Sequence, residues 1–188
     1  MKKIISAALF LILIGCGGGT QYKDADKAEG SIEWGPKEIK MTVNKMVTDI
    51  YVFLKDEYKQ PSFIQIKKFQ NKTSEHIDTN MIVSEIQTKL IQKRIKFVDD
   101  TLESDALAEM EKGMTGRVDP DSAIPVGSLK SPNLYLTGDI RDNVRYVKGK
   151  KVQYLKVTFK LFNLKTNVIE WQSQQEFLKS SKSDRIEF

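Results

Sequence analysis

Apolar residues along the chain follow two different spacings. Ile39, Val43, Met46, Val47, Ile50, Phe53 and Leu54 recur every three or four positions, the period of a helix with one buried stripe. Pro36 suits the first turn and Pro61 is a stop, so one long helix is predicted over about 37–58. A stalk and a helix packed on a domain both fit that pattern. Phe63-Ile64-Gln65-Ile66 reads as a short strand and residues 71–75 as a polar loop. Asp78 is a good N-cap for a second helix, with Ile82, Val83, Ile86, Leu90 and Ile91 as its stripe. Lys96-Phe97-Val98 is a second short strand. A third helix is predicted over 102–112, with Leu102, Ala106, Leu107 and Met110 inward and Gly113 as its end.

Residues 113–132, rich in Gly, Pro, Asp and Ser, form a loop. The period then drops to two. Leu134, Leu136 and Ile140 alternate, Lys148-Gly149-Lys150 marks a hairpin turn, and Leu155, Val157, Phe159 and Leu161 form an inward row. Lys156 and Lys160 fall outside that row, and the strands are expected to be short. Residues 163–167 are a second turn and 168–177 the last strand. The predicted order is α-β-α-β-α-β-β-β, an α+β fold. A mixed or antiparallel sheet of about four to five strands is flanked by helices, in one domain over 36–188.

The first residues carry a different pattern. Lys2 and Lys3 precede an apolar run from Ile4 to Ile14 that is too short to span a bilayer as a helix. It ends in Leu13-Ile14-Gly15-Cys16, which resembles the bacterial lipobox. The resemblance implies that 1–15 is a signal peptide and that Cys16 becomes the acylated first residue. Multiple acyl chains anchor stably, at about 0.8 kcal/mol per buried methylene. Gly17, in place of an aspartate, implies the periplasmic face of the outer membrane. Residues 16–35, with three consecutive glycines and few apolar residues, read as a flexible linker.

Composition narrows the function. Without Lys2 and Lys3, 28 basic side chains stand against 25 acidic ones, a net charge of about +3 of mixed pattern. The short runs Lys67-Lys68, Lys93-Arg94 and Lys148 to Lys151 are not a nucleic-acid stripe. One cysteine and one histidine exclude a structural zinc site, a Cys-x-x-Cys pair and an internal disulfide, so no cofactor is expected. Ser74, His76 and Asp78 are the residue types of a hydrolase triad. They crowd a helix start, where capping explains them, and no Gly-x-Ser-x-Gly elbow exists. An enzyme is not expected.

Phe69-Gln70-Asn71-Lys72-Thr73-Ser74-Glu75-His76-Ile77-Asp78-Thr79 resembles a motif of the LpoB-type lipoproteins. These are outer-membrane activators of class A penicillin-binding proteins. The family pattern is Asn-Arg-Thr, a short variable stretch, then Ile-Asp-Thr; here Lys72 replaces the arginine. The helix from Ile82, the strand at Phe97-Val98 and Leu134 to Ile140 follow in order, so the resemblance spans about 62–178.

The resemblance implies the fold of the TolB N-terminal domain. It also implies a monomer that docks on the regulatory domain of a bifunctional synthase and stimulates it. Asn71, Lys72, Thr73, His76 and Asp78 are the expected docking loop, with Lys72, Thr73 and His76 outward. Arg141, Arg145 and Tyr146 are a second candidate patch. The alternative is a CsgG-like lipoprotein that assembles as an oligomer, which the expected short strands disfavour.

Overall fold

The computed structural model describes residues 33–182. The lipobox and Cys16 lie outside the described residues. Helix α1 spans Pro36–Val52 and continues as a π-helical turn, Phe53–Tyr58. Strand β1 is Phe63–Lys72, α2 Thr79–Gln92, β2 Lys96–Phe97 and α3 Glu103–Met114. Strands β3 (Leu134–Val147), β4 (Lys150–Asn163) and β5 (Ile169–Lys182) complete the predicted order. The five strands form one sheet, β2-β1-β3-β4-β5. β1 is parallel to β2 and β3, and β3, β4 and β5 are antiparallel neighbours.

Alternation in the strands decides which face is covered. Leu134, Leu136 and Ile140 of β3 and Leu155, Val157, Phe159 and Leu161 of β4 are fully buried on one face, as expected. α1 and α2 close that face with Val43, Met46, Ile50, Ile82, Ile86 and Leu90. The long helix therefore packs on the sheet. Its Asp49 accepts a hydrogen bond from Ser173 of β5, and its start lies beside Phe177 through Trp34, whose ring meets Phe177 edge-on at 5.7 Å. Gly138 lets β3 pass under Phe69, whose ring centroid is 4.5 Å from that of Phe159. A Cβ at Gly138 would lie 2.0 Å from the Thr158 carbonyl oxygen.

Six expectations are corrected. Ile91, read as part of the α2 stripe, is exposed, and α3 runs through Gly113 to Met114. β1 runs to Lys72, so Asn71 and Lys72 belong to a strand and the loop begins at Thr73. A register shift between Ile66 and Phe69 breaks the alternation and hides the strand's second half from pattern reading. The third helix does not present its apolar stripe inward: Leu102 and Leu107 are exposed, Ala106 is half-buried, and only Met110 is buried. The last three strands are long rather than short, at 14 residues each, because the β3–β4 hairpin and the end of β5 run past the helices. The last strand accordingly reaches Lys182 rather than residue 177.

Among the described residues no helix is long and apolar enough to cross a membrane. No group of three metal-ligating acids, histidines or cysteines occurs among them.

Candidate functional site

β1 delivers the motif to one end of the sheet. Its register with β3 sets Lys72 beside Arg141. The chain then turns through residues 73–78 into α2, whose first N–H groups need partners. Asp78 supplies them, accepting from the N–H of Asn80 at 3.0 Å and of Met81 at 3.4 Å. Buried Ile77 pins the loop to the core.

The first half of the loop, residues 71–75, is densely bonded. Asn71 Oδ1 accepts from the Thr73 N–H at 3.0 Å, and Asn71 Nδ2 donates to the Glu75 carbonyl at 2.8 Å. The Thr73 hydroxyl lies 2.7 Å from Asn71 Oδ1 and accepts from the Glu75 N–H at 3.2 Å. Ser74 donates its hydroxyl to Asp142 Oδ2 at 2.6 Å and its N–H to the same carboxylate at 3.2 Å. Gln153 Nε2 donates to Asp142 from β4 at 3.0 Å. Burial alone would raise the Asp142 pKa; the Ser74 hydroxyl and the Gln153 amide outweigh it and hold the carboxyl below its ordinary value.

Glu75 ties the loop to the start of the domain. Its Oε2 accepts the Trp34 N–H at 2.8 Å, and its Oε1 lies 3.8 Å from Lys151 Nζ. One step further, Lys179 Nζ meets Glu38 Oε1 at 3.1 Å and donates to the Glu33 carbonyl. Glu38 also accepts the Gly35 N–H at 3.0 Å. Glu38 is buried and Lys179 is half-buried over it. A clamp thus fastens residues 33–38 to the loop and to the β4–β5 ribbon.

These bonds sort the predicted residues. Asn71, Thr73 and Asp78 direct their polar atoms inward and shape the loop. Thr73 is half-buried, whereas Lys72, His76, Arg141 and Arg145 are exposed. Asp139 gathers two of these: Arg141 grips it through Nε at 3.1 Å and an Nη at 3.0 Å, and Lys72 Nζ is 3.6 Å away. Burial would raise the Asp139 pKa, but the Arg141 and Lys72 cations hold it down. Two cations on one carboxylate leave surplus positive charge. Arg145 shares the sheet face of Arg141, further along β3, while Tyr146 points to the opposite face and is half-exposed. Ser74 donates to Asp142 and not to His76, so no triad forms.

Pattern reading missed Asp142, Gln153, Glu75 and Asp139. The first two carried a signal. Asp142 continues the inward series Leu136, Ile140, and Gln153 the series Leu155, Val157, so each is a polar residue where the alternation demands burial.

Residues 38–177 match the family model described as peptidoglycan-synthase activator LpoB. The chain belongs to this family. The match starts inside α1, upstream of residue 62, where the resemblance read from the motifs began. Among solved structures, the LpoB C-terminal domain from Escherichia coli is similar at 14% identity and a TM-score of 0.40, covering 74% of this chain and 94% of that one. The corresponding domain from Salmonella enterica is similar at 11% identity and a TM-score of 0.38, with the same coverage. The PelC dodecamer from Paraburkholderia phytofirmans is similar at 10% identity and a TM-score of 0.30, covering 66% of this chain and 75% of that one. No curated protein matches the chain.

Proposed function

We propose that this chain is a lipid-anchored adaptor that binds a class A penicillin-binding protein through the loop end and shifts it toward its active arrangement. Acyl chains on Cys16 hold it at the periplasmic face of the outer membrane. The observation that carries this reading is membership of a family of synthase activators over residues 38–177.

The geometry supports the choice of surface. A loop held by internal bonds at 71–75, by buried Ile77 and by the Asp78 cap loses little freedom on docking, so its contacts count toward affinity. Lys72, His76, Arg141 and Arg145 make the contacts in this reading, and Asn71, Thr73 and Asp78 hold them in place. Activation follows if the synthase's active state meets this surface better than its resting state does. Because α1 packs on the sheet, it adds nothing as a stalk. The reach is then that of residues 16–32 alone, at most about 60 Å when fully extended. The docking domain of the synthase lies within that distance of the anchor.

A photo-crosslinking residue at positions 72 and 76, in growing cells, tests the reading. The expected adduct at both positions contains a class A penicillin-binding protein. Adducts that never contain one contradict it.

A second reading, assembly of several copies, draws on one observation. β5 closes the sheet with a 14-residue edge that no other described strand covers. Light scattering of the full chain in detergent separates the two: a discrete multimer favours assembly, and a monomer favours the adaptor.

A further inference from the structure

The end of the molecule remote from the loop carries a groove that the adaptor reading does not use. α1 and α2 run parallel, since Lys40 Nζ meets Glu85 Oε1 at 3.2 Å and Lys89 Nζ meets Asn44 Oδ1 at 3.0 Å. Their ends lie together, with Lys93 Nζ over the Tyr51 ring at 4.8 Å, about 20 Å from the clamp at 1.5 Å per helical residue. There Phe63, Ile91, Ile95 and Phe97 floor a groove of about 520 Å³, with Arg94, Lys96 and Lys130 on its rim. A smaller groove of about 230 Å³ adjoins it, shares Arg94 and Lys96, and adds Lys55.

Three features give the groove a chemistry. No carboxylate lines either part of it. Lys55, Arg94, Lys96 and Lys130 have no carboxylate partner among the described residues; Lys55 and Lys96 lie only over the Tyr51 and Phe63 rings, at 5.9 and 5.5 Å. At the loop end Lys72, Arg141, Lys151 and Lys179 each have a carboxylate. The groove also follows β2, the opposite edge of the sheet. Val98 donates its N–H inward to the Ile64 carbonyl at 2.8 Å, so alternation directs the N–H and C=O of Phe97 away from β1.

Arg94 itself sits under strain. It occupies the left-handed position (φ 68°) of the turn that ends α2. That turn is closed by Ile95 N–H to Leu90 O at 3.1 Å and by Arg94 N–H to Ile91 O at 2.8 Å. Glycine fits such a position without penalty. Arginine there lowers stability and sets a guanidinium on the groove's rim.

We infer that this groove binds an extended, acidic peptide segment of a partner protein, added as a further strand beside β2. Its backbone bonds to Phe97, its alternate apolar side chains rest on Phe63 and Ile91, and its carboxylates meet Arg94, Lys96 and Lys130. The outward N–H and C=O of Phe97 favour a peptide over a bilayer, since only a peptide backbone pairs with them.

Selection of random dodecapeptides displayed on phage, against the full chain in detergent, tests the inference. Enriched peptides are expected to alternate Asp or Glu with apolar residues. The affinity of the best one, read by fluorescence anisotropy, should fall at least tenfold with Arg94→Glu plus Lys96→Glu and hold with Lys37→Glu. Methylation of its alternate backbone nitrogens should abolish binding. Arg94→Gly should weaken binding while raising the melting temperature, which separates loss of the site from loss of the fold. Absence of enrichment, enrichment of basic peptides, or indifference to the charge reversals would overturn the inference. So would charge-dependent binding to phosphatidylglycerol vesicles without binding to any acidic peptide.

Discussion

The two ends of this molecule handle charge in opposite ways. At the loop end, Lys72, Lys151, Lys179 and Arg141 all face carboxylates, and Glu38, the partner of Lys179, is buried. At the far end, Lys55, Arg94, Lys96 and Lys130 surround apolar floor with no acid among the lining residues. Paired and buried charges fix a shape, because each is expensive to leave alone. Cations with no carboxylate beside exposed apolar surface remain open to an acidic ligand. The first end is a preformed surface, and the second is an unfilled one.

A substitution between the two ends should abolish the contrast. Gly138→Ala places a methyl 2.0 Å from the Thr158 carbonyl oxygen and 2.4 Å from the Phe69 ring. The carbonyl belongs to the β3–β4 ladder and cannot step aside. A loss of more than about 3 kcal/mol is expected in thermal denaturation, with both ends melting together. Lys179→Ala should act on one end only. It strands buried Glu38 without its cation, at about 3 kcal/mol. Hydrogen exchange should then quicken in 33–38 and 73–77 while β2 and the last turn of α2 keep their protection.

Asp142→Ala removes the acceptor of the Ser74 hydroxyl, the Ser74 N–H and the Gln153 amide, at about 2 kcal/mol. Acid should mimic it. Asp142 and Asp139 have folded-state pKa values below their unfolded ones. Their stabilisation is complete above the ordinary carboxylate pKa of about 3.9 and fades as pH falls through the lower folded values. Amides of 73–77 should lose protection below about pH 4, while the carboxylate-free turn at Arg94 keeps its own. The smallest effect has the opposite sign. Arg94→Gly should stabilise the fold by about 0.5–1 kcal/mol in denaturant titration, since it relieves a left-handed arginine.

The order of elements was legible because helix and strand periods differ and each has a clear marker, such as Asp78 at the start of α2. Legibility failed where the environment is mixed. Lys67 to Lys72 sit in a strand whose bulge breaks the alternation. The hairpin beyond the helices is covered on its inner face by the loop, against polar residues such as Asp142 and Gln153, so no apolar row reports its length. Leu102 and Leu107 keep a helical spacing without a core to meet. The motif's position was readable from residues 71–78, but its supports were not. Asp142 and Gln153 reach it from strands about seventy and eighty residues on, and only the β1–β3–β4 register brings them there.

In the proposed function the loop end switches on a glycan synthase. The direct measurement is the rate of glycan polymerisation by a purified class A penicillin-binding protein of the same cell, with and without the full chain. A several-fold rise is expected with the native sequence and with Arg94→Gly, and none with Lys72→Glu plus Arg141→Glu. An unchanged rate with the native chain, or stimulation that survives the double charge reversal, would contradict the account.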